Sequence, residues 1–191
     1  MGRHSPVLAV DDGYFPPSYK AGAGRTVLAG ILYSAGPLDL LIDTVVVDGS
    51  DATEKALRMC IDADAGLVLL DNVIYAGFNY VDTARLLEEC GAPVVVVVKH
   101  RLNPAAIHDA LRKHFSDWEE RWAAISKPVT GNVEVETEKG SLRIYAAGID
   151  TATASRILSR LQVYSRIPEP LRIADMAASA ISRELLKMGL L

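Results

Sequence analysis

The chain has 191 residues, 50% of them hydrophobic, and a formal net charge of −4. That is enough apolar material for one substantial core, so a single domain over residues 1–191 is expected. The acidic balance argues against a protein that grips nucleic acid through a bulk basic face. It stays compatible with an acidic centre that binds metal first and meets phosphate through it.

Two cysteines, Cys60 and Cys90, sit in helix-like segments with no metal spacing between them, and read as buried inert thiols of a reducing compartment. The N-terminus has no signal-peptide pattern, and the longest apolar run, Ala92 to Val98, is far too short to cross a bilayer. A soluble cytoplasmic protein with no membrane partner is expected.

In chain order, V-L-A-V from Val7 reads as a buried strand that stops at a carboxylate pair, Asp11 and Asp12, followed at once by Gly13. Buried strand ends carrying carboxylates call for a positive partner, and a divalent metal is the commonest; an ordinary acidic turn is the plainer account. The stretch Gly13 to Gly24 is too long for a tight turn and holds Tyr14, Phe15, Tyr19, Pro16 and Pro17, so a functional loop is expected there. T-V-L-A-G-I-L-Y and D-L-L-I-D-T-V-V-V, broken by Ser34-Ala35-Gly36-Pro37, predict a hairpin.

Asp51 with Glu54 three places on predicts a D-x-x-E helix start, and the helix runs to about Asp64. G-L-V-L-L then forms a buried strand ending at Asp71, and a loop follows to Tyr80. A helix opening at Asp82 or Thr83 stops at Cys90-Gly91, with Pro93 beyond. A-P-V-V-V-V-V-K is the pattern of a strand covered on both faces, and it ends in Lys99-His100-Arg101. Helices are expected from Asn103 to about Phe115 and from about Trp118 to Ile125. V-E-V-E-T-E and L-R-I-Y-A-A-G, around Lys139-Gly140, predict a hairpin with one wet face. Helices over Asp150–Gln162 and from about Leu171 to Met188 complete the chain. The order implies an α/β protein of ribonuclease H-like kind: a mixed sheet of three antiparallel strands then parallel βαβ strands, flanking helices, and an extra C-terminal hairpin.

The chemistry concentrates at acidic strand ends. Asp11 and Asp71 converge if the first and fourth strands are neighbours, and Asp48 and Asp51 follow the third. Such a cluster cannot stay ionised and buried without a cation, and Mg²⁺ or Mn²⁺ suits all-oxygen ligands. Side chains pointing to opposite ends of the sheet, or a lysine already neutralising the pair, would end the nuclease argument. Each acid has a plainer account: Asp51 as a helix cap, Asp48-Gly49 as a turn, Asp71 as an Asx-turn. Glu169 and Asp175 flank the last helix as further acids, with Arg172 within helical reach of both as a surface ion pair. Tyr14, Phe15 and Tyr19 could stack on or wedge beside a base, and Lys20, Arg25, Lys99 and Arg101 could meet phosphate. His108 and His114 have ordinary surface spacing and no assigned role.

The runs V-D-D-G-Y-F, D-G-S-D-A-T, L-D-N-V-I-Y-A-G-F-N-Y-V-D and I-P-E-P-L-R-I-A together resemble the mainly archaeal family called domain of unknown function 99. The likeness spans nearly the whole chain. It implies an endonuclease dU, similar in fold to endonuclease V, cutting DNA near deaminated bases (uracil or hypoxanthine) with a metal ion. Under that resemblance Asp11 matches the first-strand metal carboxylate and Asp71 the acid ending the fourth strand. Asp51 or Asp48 stands for the middle acid. Asn72 replaces an expected glycine, and Asp175 an expected histidine, which puts a proton-transfer role there in doubt. The alternatives are a non-catalytic nucleic-acid-binding module of the same fold and a phosphoacceptor domain. The latter ranks last because no helix signal follows the first strand. The oligomeric state is left open.

Overall fold

In the computed structural model, which describes residues 6–20 and 24–191, the first apolar run forms β1 (Val7–Asp12). It pairs antiparallel with β2 (Arg25–Tyr33), which pairs antiparallel with β3 (Pro37–Val46), as the hairpin signal predicts. Residues 21–23 of the intervening loop lie outside the described residues. α1 (Ala52–Asp62) carries the chain over to β4 (Leu67–Leu70), parallel to β1. The expected loop beyond it contains a small hairpin, β5 (Ile74–Tyr75) and β6 (Asn79–Tyr80). α2 (Thr83–Cys90) then leads to β7 (Val94–Val98), parallel to β4. After α3 (Pro104–His114) and α4 (Trp118–Gly131), β8 (Val133–Val135) and β9 (Leu142–Ala147) follow, with β9 antiparallel to β7. The predicted C-terminal hairpin therefore extends the main sheet, whose order is β3-β2-β1-β4-β7-β9-β8. α5 (Thr151–Leu161) and α6 (Glu169–Lys187) close a mixed α/β fold with a seven-stranded sheet and, among the described residues, six α-helices.

Period-two alternation sorts the core onto two faces. Leu8 and Val10 of β1, Val68 and Leu70 of β4, and Val94, Val96 and Val98 of β7 pack toward Ala56, Leu111 and Ile125 of α1, α3 and α4. Ala9, Leu67, Leu69, Val95 and Val97 face the other way, toward Ala154 and Leu158 of α5 and Leu171 and Ala174 of α6. Covering on both sides is why β7 is an unbroken valine run. Asp82, Asn103 and Asp150 cap their helices with side-chain oxygens, as their positions suggest.

Several boundaries differ from the predicted ones. α4 continues to Gly131 through Pro128, because Pro128 and Val129 are buried against the core and that packing offsets the lost backbone bond. The alternating V-E-V-E-T-E yields only Val133–Val135. Its partner β9 begins at Leu142, opposite Val135, and the chain beyond closes a turn in which Gly140 N–H donates to Thr137 O. α6 starts at Glu169, with Pro170 in its first turn.

The two cysteines are not free thiols: Cys60 and Cys90 form a disulfide between α1 and α2. They are 30 residues apart, and only the side-by-side packing of the two helices brings them together. Closing a loop of that length stabilises by about 3–4 kcal/mol through the unfolded chain. Reduction, or the Cys60→Ser/Cys90→Ser pair, is expected to lower the denaturation free energy by about that amount. A midpoint indifferent to reductant would refute the cross-link. Among the described residues no helix is long and apolar enough to cross a membrane.

Candidate active site

The alternation that builds the core also builds the site. β1, β4 and β7 are parallel, so their C-terminal ends lie along one edge of the sheet, where α/β proteins place ligands. Continuing each strand by its period of two puts Asp11, Asp71 and Lys99 on the face shared by Ala9, Leu69 and Val97, the face that α5 and α6 cover. Val10 pairs with Leu70 in the β1–β4 register, so the two aspartates are the next residues on neighbouring strands.

The Lys99 ammonium bonds the Asp71 carboxylate and lies 3.5 Å from Asp11 Oδ2 and 4.0 Å from Asp175 Oδ2. Asp11 is only 4% exposed. Its Oδ1 accepts the Asp12 N–H at 2.9 Å, whereas among the described residues its Oδ2 and Asp71 Oδ1 are buried with no donor from another residue, and a proton on Asp11 is shared with Asp71. Burial, and then the charge of Asp71, push the Asp11 carboxyl up to about 9 despite Lys99. Burial likewise raises Asp12 to about 6. For Lys99, burial alone would lower the pKa, but the bond and charge of Asp71, with Asp11 behind it, raise it, so the ammonium keeps its proton. Tyr75 is buried beneath the pair and donates its hydroxyl to Val10 O at 3.2 Å. Burial and the nearby aspartates raise it well above its usual range, so it acts only as a neutral donor.

Two further elements fix this edge. α6 lies so close to the exit of β1 that a Cβ on Gly13 would come within 2.6 Å of Ala178 O. Buried Ser182 accepts the Tyr14 N–H there at 2.8 Å. On the opposite face, the β5–β6 turn is clamped by acids. Asp12 Oδ2 accepts the Ala76 N–H, Asp48 N–H donates to Ala76 O, and Asp48 Oδ1 accepts the Phe78 N–H, each at 2.8 Å. Gly77, at φ +84°, has no room for a Cβ, which would sit 2.2 Å from Asp48 Oδ1.

Asn72, where glycine was expected, has φ 89°, a conformation favouring glycine, and its side chain accepts the next N–H, from Val73, at 2.8 Å. Asparagine thus supplies the turn that takes the chain away from Asp71. Asn72→Gly is expected to be nearly neutral, and Asn72→Val to cost about 1–2 kcal/mol in chemical denaturation. An unchanged midpoint for the valine variant would contradict this account of the turn.

Of the residues singled out from sequence, the structure brings together Asp11, Asp71, Lys99 and, at the outer side of the ammonium, half-exposed Asp175. It does not bring Asp51 to them. Arg25, the Val46 N–H and Asn79 take the Asp51 carboxylate, at 3.1, 3.0 and 2.7 Å. Nor does that carboxylate cap α1: Asn79 Oδ1 accepts the Ala52 N–H instead. Asp48 serves the β5–β6 turn. Glu169 is bonded through both oxygens to Arg172, away from Lys99's contacts. Arg25 is also engaged by Thr44, and Tyr19 donates to Leu191 O at 2.7 Å, so neither is a free contact for nucleic acid. Tyr14 is 41% exposed, with the Arg183 guanidinium 4.4 Å over its ring. Phe15 and Lys20 line a cavity of about 640 Å³ with Asp48, Gly77, Phe78 and Phe115. Arg101 is exposed beyond β7.

Sequence reading placed Asp12 in the acid pair but did not find its task, and missed two residues altogether. Asp12 clamps Ala76, Tyr75 underlies the acid pair, and buried Arg121 donates to Gly49 O and Phe78 O at 2.7 and 2.8 Å. The V-D-D doublet was a signal for the first. Nothing local marked the other two, whose partners lie 65 and 72 residues away.

Among the described residues, no group of three or more His, Cys, Asp and Glu side chains is gathered as a metal cage. The two unpartnered buried oxygens of Asp11 and Asp71 nonetheless fit a hard, magnesium-like ion, which takes one or two carboxylates and completes its shell with water and phosphate oxygens. Lys99 supplies one positive charge beside Asp11, Asp71 and Asp175, so a further cation remains favourable when these are ionised. The ammonium also competes for that place.

The family model described as Endonuclease dU matches residues 3–182. A UPF0215 protein of Pyrococcus furiosus is 38% identical over 187 residues, covering 95% of this chain and 94% of its own length. One of Thermococcus kodakarensis is 39% identical, covering 92% and 91%. A protein of unknown function from Archaeoglobus fulgidus superposes with a TM-score of 0.78 at 25% identity, covering 93% of this chain and 98% of its own. Ciona intestinalis endonuclease V, in complex with a DNA containing inosine, superposes at 0.58 with 13% identity, covering 96% and 86%. That last likeness is one of fold.

Proposed function

The chain belongs to the endonuclease dU family, and we propose that it is a Mg²⁺- or Mn²⁺-dependent endonuclease acting on DNA at or near deaminated bases, with Asp11 and Asp71 as the central acids. The observation that carries the reading is the pair of buried, donor-free carboxylate oxygens at the ends of adjacent parallel strands. The strand order β3-β2-β1-β4-β7, with β2 antiparallel, supports a ribonuclease H-like arrangement within one domain. Endonuclease V, at the fold level, supports a nucleic-acid substrate.

Asp11 and Asp71 would hold the ion, which when bound activates water and stabilises the leaving oxygen of an in-line phosphodiester displacement. Burial and the charge of Asp71 favour the protonated form of Asp11, and an ion held there would favour its ionised form instead. Lys99 keeps its charge and orients Asp71; with a strand present it can turn toward a phosphate oxygen. Asp175, at the outer side of Lys99, steadies that ammonium. Tyr14 and Phe15 offer ring faces to a displaced base, and Arg101 and Lys20 positive charge to the backbone.

Purified protein with Mg²⁺ or Mn²⁺ and a panel of uracil- and hypoxanthine-containing oligonucleotides tests this. Nicking near the lesion is expected. A second reading, a non-catalytic binding module, is favoured by one observation: Lys99 already neutralises part of the acid pair. Retarded but uncut oligonucleotides would decide for it.

A further inference from the structure

A recess of about 280 Å³ is lined in part by Lys99. Arg101 follows β7, Arg143 is the second residue of β9 and pairs with Val98, and Arg166 lies in the connection from α5 to α6. Ser141 adds a hydroxyl, and Glu134 is the one carboxylate among the lining residues. Arg143 is already occupied, donating to Asn132 and lying 3.5 Å from Glu134. Among the described residues Arg101 and Arg166 have no carboxylate partner, and both are exposed. In a chain of net charge −4, four cations around one small recess is a local inversion of sign. Lys99 is held by the acid pair and Arg143 by Glu134, so Arg101 and Arg166 are the two that call for an anion, and guanidinium groups match the paired oxygens of a phosphate. The recess continues from Lys99, which touches both central acids.

We propose that this recess seats a backbone phosphate of the nucleic-acid strand whose neighbouring phosphate lies at Asp11 and Asp71. Arg101 and Arg166 grip it from the rim, and Ser141 donates from the wall. Arg143 holds the floor through its bonds to Asn132. The assignment rests on the nucleic-acid reading above, though not on cleavage. It makes the β8–β9 hairpin and the α5–α6 connection the elements that set how the strand enters the site. It also explains how an acidic protein takes a polyanion: the positive charge is focused in one recess, not spread over a face.

The test is binding of a labelled uracil-containing oligonucleotide in EDTA, so that no strand is cut, across a range of salt concentrations. Arg101→Ala/Arg166→Ala is expected to weaken binding about tenfold or more and to reduce the slope of log K against log salt by about 1–2. Arg156→Ala, an exposed arginine on α5 bonded to Thr153, should leave the slope alone. The same slope change with and without a 5′-phosphate supports an internal phosphodiester. A change confined to the 5′-phosphorylated strand overturns the backbone assignment in favour of a terminal phosphate. Unchanged affinity and slope in the double variant, or no binding by the unaltered protein, overturns the proposal. Binding that depends on Arg101 and Arg166 without nicking in Mn²⁺ would instead retire the nuclease reading and leave the recess standing.

Discussion

Asp71→Ala is expected to abolish metal-dependent nicking, by about 10³-fold or more, while leaving the protein folded. The direction follows from geometry. Asp71 Oδ1 is one of only two donor-free carboxylate oxygens in the buried pair, and its loss leaves Asp11 alone to hold an ion. A bound ion supplies several kcal/mol of charge stabilisation, and each 1.36 kcal/mol is tenfold in rate. The fold should survive because Asp71 lies beyond β4, whose strand residues are all apolar and buried, and Lys99 keeps Asp11 and Asp175 within 4.0 Å as partners. Asp71→Asn preserves volume and should be equally inactive, separating a charge requirement from a packing one. Single-turnover cleavage, read beside a denaturation midpoint, checks both halves. Full activity in a folded Asp71→Ala protein would remove the proposed mechanism.

The second large effect concerns stability without metal. Asp11 is raised to about 9 and Asp12 to about 6 in the folded chain, against 3.8 in the unfolded one. The folded state therefore binds more protons than the unfolded state between those values. The stabilisation is fully present below pH ~4, fades through pH 6 as Asp12 ionises, and is lost as pH approaches 9. A fall in unfolding free energy of several kcal/mol between pH 5 and pH 9, steepest below pH 6 where both groups contribute, is expected in EDTA. Asp11→Asn, which cannot ionise, should flatten most of that slope and be more stable than the parent at pH 9. Mn²⁺ or Mg²⁺ should recover the loss in the parent but not in Asp11→Asn. Chemical denaturation at several pH values reads all of this. A parent protein whose stability rises with pH would show that Asp11 is not held protonated.

How far these features could be read in advance differs by residue. The V-L-A-V-D-D run announced both a strand and the place where its burial becomes costly, because four apolar residues followed by carboxylates can only end at an edge. Asp71 was legible for the same reason. Lys99 was visible as a cation after a strand, but its task was not. The separation of 28 between Asp71 and Lys99 is bridged by the β4–β7 pairing, and nothing local states which carboxylate an ammonium will reach. Asp51 failed in the opposite sense. Its helix-start signal was sound in position, yet Asn79 from a distant hairpin took over the capping and left the carboxylate to Arg25. The disulfide was hidden likewise, since the cysteine spacing matched no motif.

The amino-acid order determined the elements, their amphipathic faces and the acids at the strand ends, because strand period, helix caps and turn residues act over a few neighbours. Only the tertiary structure decided which acids meet, that a lysine stands between them, that two thiols join, and that scattered arginines ring one recess. Those are matters of sheet order and crossover packing, in which the partners are tens of residues apart and the free energy belongs to the assembled core, not to any segment.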